Sequence, residues 1–395
     1  MMDSFTKNDS LTLELYQDQA SLTDHGPRNF TFPILGLFGE VGSLLSEVKK
    51  QQRDTIAYIG YADNVLDELG DVLWYLTAIA SRAEISIADI AYATLQNHHD
   101  CYDAAPLNFP FIELQSQPPL FSPTPTPAFE ITLMRLASAV GALINDQQQR
   151  ELENDRDVLF RHLVRVLGIL VQAAEEAGVT LDKAAERNLQ KIFDRWPKER
   201  KYPAPYDNDF PEHEQLPRKL VIEIFECPAK VEGKSYVMQR CNGVYIGDHL
   251  TDNVMTPDDY RFHDVFHYAY TAVLGWSPVT RALFRLKRKS DGRIDEAEDG
   301  ARAILVEEGI ATFIFGQAKK TRFFEGLKPG DMSFDLLKSI RKFVAGCEVE
   351  NRPFWLWEEA ILQGYAAFRF LKEHRCGAIH IDMHQNRVMI ESLST

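Results

Sequence analysis

The stretch Leu66-Asp67-Glu68-Leu69-Gly70-Asp71-Val72-Leu73-Trp74-Tyr75-Leu76 constrains this chain more than any other. Leu66, Leu69, Leu73 and Leu76 recur at helical spacing and predict a core-facing stripe. Glu68 and Asp71, three residues apart, share a neighbouring face of the same helix. Two carboxylates side by side repel at neutral pH unless something cationic lies between them. The segment therefore reads either as a solvated acidic face or as half of an oxygen-lined site for a divalent ion.

A second acidic helix is predicted upstream, over Leu35 to Lys50. Leu37, Val41, Leu44, Leu45 and Val48 make its buried side. Glu40 and Glu47 stand two turns apart on one face. Gly39 and Gly42 each disfavour a helix by about 1 kcal/mol, which is expected where a partner helix comes close. Two antiparallel helices offering carboxylates inward build a metal cage of the kind found in bundle cores.

The residues G-E-V-G-x-L-x-x-E-V-K-K (39–50) followed by D-E-L-G-D-V-L-W-Y-L (67–76) resemble the MazG-type, all-α nucleoside triphosphate pyrophosphohydrolases. The resemblance implies that Glu40, Glu47, Glu68 and Asp71 hold Mg²⁺, with Mn²⁺ as a substitute. It also implies hydrolysis of a nucleoside triphosphate to a monophosphate and pyrophosphate, with Glu40, Glu68 and Asp71 as the catalytic set. Ser43 departs from the pattern, since the family usually has a third Glu there, and Gly39 stands where many members carry another. The departure opens a second expectation, a nucleotide-binding sensor that cleaves slowly.

At 395 residues, two or three domains are expected. A net charge of −15 argues against general binding to nucleic-acid backbones, which needs a basic surface. The five cysteines, odd in number, widely spaced and without a C-x-x-C pair, point to reduced thiols in a cytoplasmic protein. Asp3, Lys7 and Asp9 leave no apolar leader region, and no apolar run is expected to approach the roughly 18 residues of a membrane span. A homo-oligomer is compatible with all of this.

In chain order, helices are expected over 10–25, over the two acidic segments and, capped by Ser86, through Asn97. Residues 103–127, with many prolines, read as an extended tether. The pattern then starts again. Ser138 to Asp146 sits like Gly39 to Glu47, and Leu163 to Leu170 like Leu69 to Leu76. The reading is a tandem duplication. Its second copy has lost the acids, with Ala139 against Glu40, His162 against Glu68 and Arg165 against Asp71. Yet Asn188-Leu189-Gln190-Lys191-Ile192-Phe193-Asp194-Arg195-Trp196-Pro197 resembles the closing segment of the same family. That resemblance implies Asn188, Lys191 and Arg195 at the nucleotide phosphates, where the first copy has Thr94, Gln96 and Asn97 and no lysine. The expected site is composite, one copy supplying carboxylates and the other cations. A basic residue near a helix C-terminus is also the ordinary result of the helix dipole.

The whole chain is thus expected to be mainly α. A MazG-like repeat occupies 1–102, a proline-rich linker 103–127, a degenerate repeat 128–204 and an α+β domain 205–395. In the last, strands are predicted over 219–225 and 236–240 about Gly233, with a hairpin over 378–390 about Gln385-Asn386. Between them, Tyr260-Arg261-Phe262-His263-Asp264-Val265-Phe266-His267-Tyr268 places two histidines one turn apart, capped by Thr256 with Asp258 and Asp259 in the first turn. A helix over Asp295 to Ala318 carries Glu298, Asp299, Glu307 and Glu308.

His263, Asp264, His267, Glu307 and Glu308 form a candidate second metal site. H-D-x-x-H resembles HD-type phosphohydrolases, which would also need partners such as His249 and Asp299. With Glu307-Glu308 it resembles zincin peptidases as well, with Asp264 in place of the usual Glu. The plain alternative is a helix pair whose His and Glu make internal hydrogen bonds. Arg281, Arg285, Lys287, Arg288 and Lys289 read as a solvated basic face or a phosphate patch. Phe354, Trp355 and Trp357 read as core.

Overall fold

The computed structural model describes residues 11–96, 104–115, 122, 124–149, 155–230 and 233–393. It divides into two compact units, Met1–Phe193 and Asp194–Thr395. The first is all α and the second α+β, so the protein is mainly α.

The first unit runs α1 (Leu13–Ser21), α2 (Thr31–Asp54), α3 (Tyr61–Arg82), α4 (Ile87–Gln96), α5 (Pro127–Gln148), α6 (Arg156–Glu176) and α7 (Leu181–Arg195). Thr12, Thr126 and Asp155 start α1, α5 and α6, each accepting a hydrogen bond from a first-turn amide. The apolar stripes do not close separately within each repeat. One core cluster extends from Leu11 to Ile192, with α2 against α3 and α5, and α6 against α3, α4 and α5. The stretches read as repeats, 1–102 and 128–204, are expected to pair as an internal pseudo-dimer; their described helices share one core, and the compact unit ends at Phe193. A half-apolar helix pair has nowhere else to bury its inner face.

Two further expectations are corrected here. Residues 109–114 are not a free tether. Phe109, Phe111 and Leu114 are buried, Phe111–Leu114 makes a short 3₁₀ turn, and Pro110 bridges to Thr12. The apolar side chains between the prolines bring this stretch into the core. Cys101, Asn97, residues 116–121 and residue 123 lie outside the described residues. Also, α2 with the turn after it and α5 are each long and apolar enough to cross a membrane by length and composition. Their stripes (Leu37, Val41 and Leu44; Leu133, Leu136 and Val140) are buried in the shared core.

In the second unit, β1 (Lys219–Pro228), β2 (Ser235–Cys241), β3 (Val244–Leu250), β4 (Cys376–Asp382) and β5 (Arg387–Glu391) form one antiparallel sheet of order β3-β2-β1-β4-β5. Ile222 sits opposite Cys241 on one side and Ile379 on the other, so β1 lies at the centre, between β2 and β4. The helices between them are α8 (Asp264–Ala269), α9 (Pro278–Phe284), α10 (Gly292–Ala297), α11 (Ala301–Ala318), α12 (Phe334–Phe343) and α13 (Phe354–His374). Phe354, Trp355 and Trp357 are core residues of this unit.

Thr256 does not start the histidine helix. A 3₁₀ turn over Tyr260–Phe262 precedes it, and Asp259, at φ 70°, directs its carboxylate to Lys372 and Arg375. The helix expected over Asp295 to Ala318 is broken between α10 and α11. At Gly300 a Cβ would stand 2.2 Å from the Glu296 carbonyl oxygen, so only glycine allows the chain to turn there. The basic cluster is divided: Arg285 and Lys289 are exposed, whereas two of its arginines are not solvated. Arg281 and Arg288 are buried and paired to Asp207, Asp299 and Glu348, because charges taken out of water must be matched.

Candidate active site

In the first unit α2 and α3 bring Glu40, Glu68 and Asp71 together, with one oxygen of each within 4.8 Å of the others. The three sit beside the Leu69, Leu73 and Leu76 stripe, which is fully buried and fixes the rotation of α3. Burial, with Glu40 and Asp71 alongside, pushes the Glu68 carboxyl up to about 8, partly offset by Lys191. Glu68 Oε2 is buried with no hydrogen-bond partner. An acid held protonated by two other acids, with an orphaned oxygen, is a place where a cation relieves both costs at once.

Glu47 stands outside this group. It is buried, ion-paired to Lys50 at 2.6 Å, and accepts from Asn64 Nδ2 at 3.2 Å. The seven residues from Glu40 carry it about 10.5 Å along the axis, beyond one ion's reach.

From α7, Asn188 Nδ2 donates to Asp71 Oδ1 at 2.9 Å and Lys191 Nζ is ion-paired with the same carboxylate. So Asn188 and Lys191 do share the site with the carboxylates. Arg195 belongs to the second unit, where its Nη2 donates to the carbonyls of Gly330 (3.1 Å) and Met332 (2.7 Å) and its guanidinium lies over Trp196. The sequence reading missed Tyr16, whose buried hydroxyl donates to Asn188 Oδ1 at 3.2 Å and so holds the amide toward Asp71. Only its place in a helix stripe was visible.

The close approach expected at Gly39 and Gly42 lies elsewhere. A Cβ on either would meet nothing within 4 Å, whereas one on Gly70 would stand 2.7 Å from the Ala184 carbonyl and 3.0 Å from Asn188 Cβ. Gly70 is what lets α7 settle onto α3 and bring its polar side chains to Asp71. On α6, His162 is paired to Asp146 at 2.7 Å, and Arg165 lines a separate cavity of about 510 Å³ with Arg135 and Thr94.

Comparison with known proteins adds to this geometry. Residues 201–394 match the family model described as the MazG C-terminal domain. The C-terminal half is thus similar to the MazG C-terminal domain. A curated relative, the Gene 37 protein of Mycobacterium phage L5, is 29% identical over 93 residues, covering 21% of this chain and 82% of the phage protein. No solved structure matches the chain.

The second unit carries the other candidate residues. His263, His267 and Glu308 converge, one donor atom of each within 4.8 Å of the rest. Asp264 flanks them, its Oδ1 3.3 Å from His263 Nε2 and its Oδ2 held by Gln239. Glu307 does not face the group directly; it accepts from His267 Nδ1 at 2.8 Å. The partners an HD-type site would need are absent from it. His249 stacks on Tyr236 with centroids 4.4 Å apart, and Asp299 is bound by Arg288 at 2.7 Å.

Proposed function

We propose that the first unit is a Mg²⁺-dependent nucleoside triphosphate pyrophosphohydrolase, built from two fused MazG-like repeats. The observation that carries the reading is the convergence of Glu40, Glu68 and Asp71 about the unpartnered, buried Glu68 Oε2. The donors are carboxylate oxygens alone, which suits a hard cation, Mg²⁺ or Mn²⁺. When bound, such an ion neutralises phosphate charge and acidifies the attacking water. Lys191 supplies the counter-charge for the pyrophosphate leaving group. Asn188, held by Tyr16 and bonded to Asp71, keeps that carboxylate oriented. A cleft of about 210 Å³ beside Trp74, one turn along α3 from Asp71, is the candidate place for the base. The MazG-related C-terminal match supports a nucleotide hydrolase by kinship.

The test is a panel of nucleoside triphosphates with Mg²⁺ and Mn²⁺, with products resolved. The expected products are a monophosphate and pyrophosphate, and Glu68→Gln should lower kcat by at least about 100-fold, since even outer partners of metal ligands cost about 10–100-fold. Nucleoside plus inorganic triphosphate as products, or wild-type turnover by Glu68→Gln, would overturn the reading. Tight nucleotide binding without turnover would replace the enzyme with a sensor.

A further inference from the structure

The histidine cluster of the second unit has a feature that internal hydrogen bonding does not explain. His263 Nδ1 lies 2.9 Å from the Tyr260 carbonyl oxygen, which only accepts, so that nitrogen carries the proton. His267 Nδ1 lies 2.8 Å from Glu307 Oε1 and donates to it in the same way. In the neutral imidazoles both free lone pairs then lie on Nε2, that of His263 also 3.3 Å from Asp264 Oδ1. Both Nε2 atoms look toward Glu308 Oε2, at 3.7 Å from His263 and 3.5 Å from His267. These separations are too long for good hydrogen bonds. His267 is 1% exposed, and its Nε2 is buried with no hydrogen-bond partner.

We propose that His263, His267 and Glu308 form a mononuclear site for a borderline divalent transition metal, zinc by preference, separate in chemistry from the carboxylate group of the first unit. Two imidazole nitrogens and one carboxylate suit zinc and its neighbours, whereas Mg²⁺ takes oxygen ligands. A tetrahedral zinc with bonds of about 2.1 Å holds its ligands about 3.4 Å apart, close to the observed distances between Glu308 and the two rings. Glu307 supplies the outer support such sites use. It is fully buried, orients His267, and is itself fixed by Ser277 Oγ at 2.7 Å and the Val279 amide at 2.8 Å. Tyr260 stacks flat on the His263 ring with centroids 4.4 Å apart and holds its plane. Three protein ligands leave one coordination place for water, the arrangement of hydrolytic rather than structural zinc.

The experiment uses the full chain, stripped by a chelator and reloaded with Zn²⁺ or with Co²⁺, whose visible absorption reports nitrogen ligation. The expected result is about one equivalent of tightly held metal and a tetrahedral Co²⁺ spectrum. His267→Ala and Glu308→Ala should lose both, and Glu307→Gln should weaken binding by about 10–100-fold. Glu40→Gln and Glu68→Gln should keep the Co²⁺ spectrum unchanged. The Glu308 side chain is 37% exposed, so its removal leaves the fold intact, as circular dichroism would verify. Absence of retained zinc in the wild type, or the same spectrum in Glu308→Ala and His267→Ala, would overturn the proposal.

Discussion

Two glycines on facing helices separate packing from propensity at the scale of single residues. Gly70 lies where a methyl group would press to 2.7 Å from the Ala184 carbonyl, a backbone atom that cannot swing aside. Gly70→Ala should therefore cost about 1–3 kcal/mol by overpacking and move Asn188 off Asp71, visible as a lower denaturation midpoint together with weaker Mg²⁺ dependence. Gly39 has open space around its Cβ direction and lies inside α2. Gly39→Ala should raise stability by about 0.5–1 kcal/mol and leave turnover unchanged. If both substitutions moved the midpoint the same way, the assignment of the close approach to Gly70 would be wrong. Ser43, one turn beyond Glu40 and half-buried, offers a complementary test. Ser43→Glu adds an oxygen ligand to the same face, so half-maximal activity should be reached at lower Mg²⁺; an unchanged or higher requirement would show that the face does not point at the ion.

Among the elements, the second unit is fastened at its start by Asp207, which is buried between Arg281 at 2.8 Å and Arg218 at 2.8 Å. Burial raises its carboxyl, but Arg218, the Leu216 amide and Arg281 more than offset that and bring it below its ordinary value. A carboxyl depressed in the folded state contributes stability above its unfolded pKa, about 3.9, and loses it as pH falls through the folded value. Acid unfolding of this unit should thus be shifted upward in pH by Asp207→Asn. That variant also leaves buried Arg281 with Asp299, at 3.6 Å, as its remaining carboxylate and takes away the carboxylate paired with half-buried Arg218, at a cost of about 3 kcal/mol near neutral pH, measured by urea unfolding at about pH 7 and, below the unfolded pKa, at about pH 3. An unaltered pH profile would show that the pair carries no net stability.

This network was not legible beforehand, because Arg281 and Arg288 meet Asp207 and Glu348 only through long-range folding. The helices of the first unit were legible, since Leu69, Leu73 and Leu76 mark a face by period alone, and so were Glu40, Glu68 and Asp71, whose spacing and surroundings are local. Strand β3 was missed although Asn242-Gly243, both at positive φ, is the turn that a tight hairpin requires. Glu47 was misplaced because two turns on one face share a direction without sharing a point. Tyr16 and the role of Gly70 depend on α7 returning to α1 and α3, which no local pattern reports.

For the molecule as a whole, the uneven charge of the helix pairs α2–α3 and α5–α6 makes a stoichiometric prediction. In the first, three acids crowd together and one oxygen goes unpaired; in the second, His162 lies 2.7 Å from Asp146 and Arg165 brings a positive charge where Asp71 brings a negative one. A cation gains nothing at the second position, because Arg165 places a positive charge there and Ala139 offers no ligand. Titration of the full chain with Mn²⁺ and a non-hydrolysable triphosphate should therefore saturate at one nucleotide-coupled site, removed by Glu40→Gln or Glu68→Gln and untouched by Arg165→Ala. Two equal sites, or loss of the single site on Arg165→Ala, would mean that helices α5 to α7 work as more than a structural partner supplying Asn188 and Lys191. The same titration on His267→Ala should leave this stoichiometry unchanged, because imidazole nitrogens and carboxylate cages select different ions.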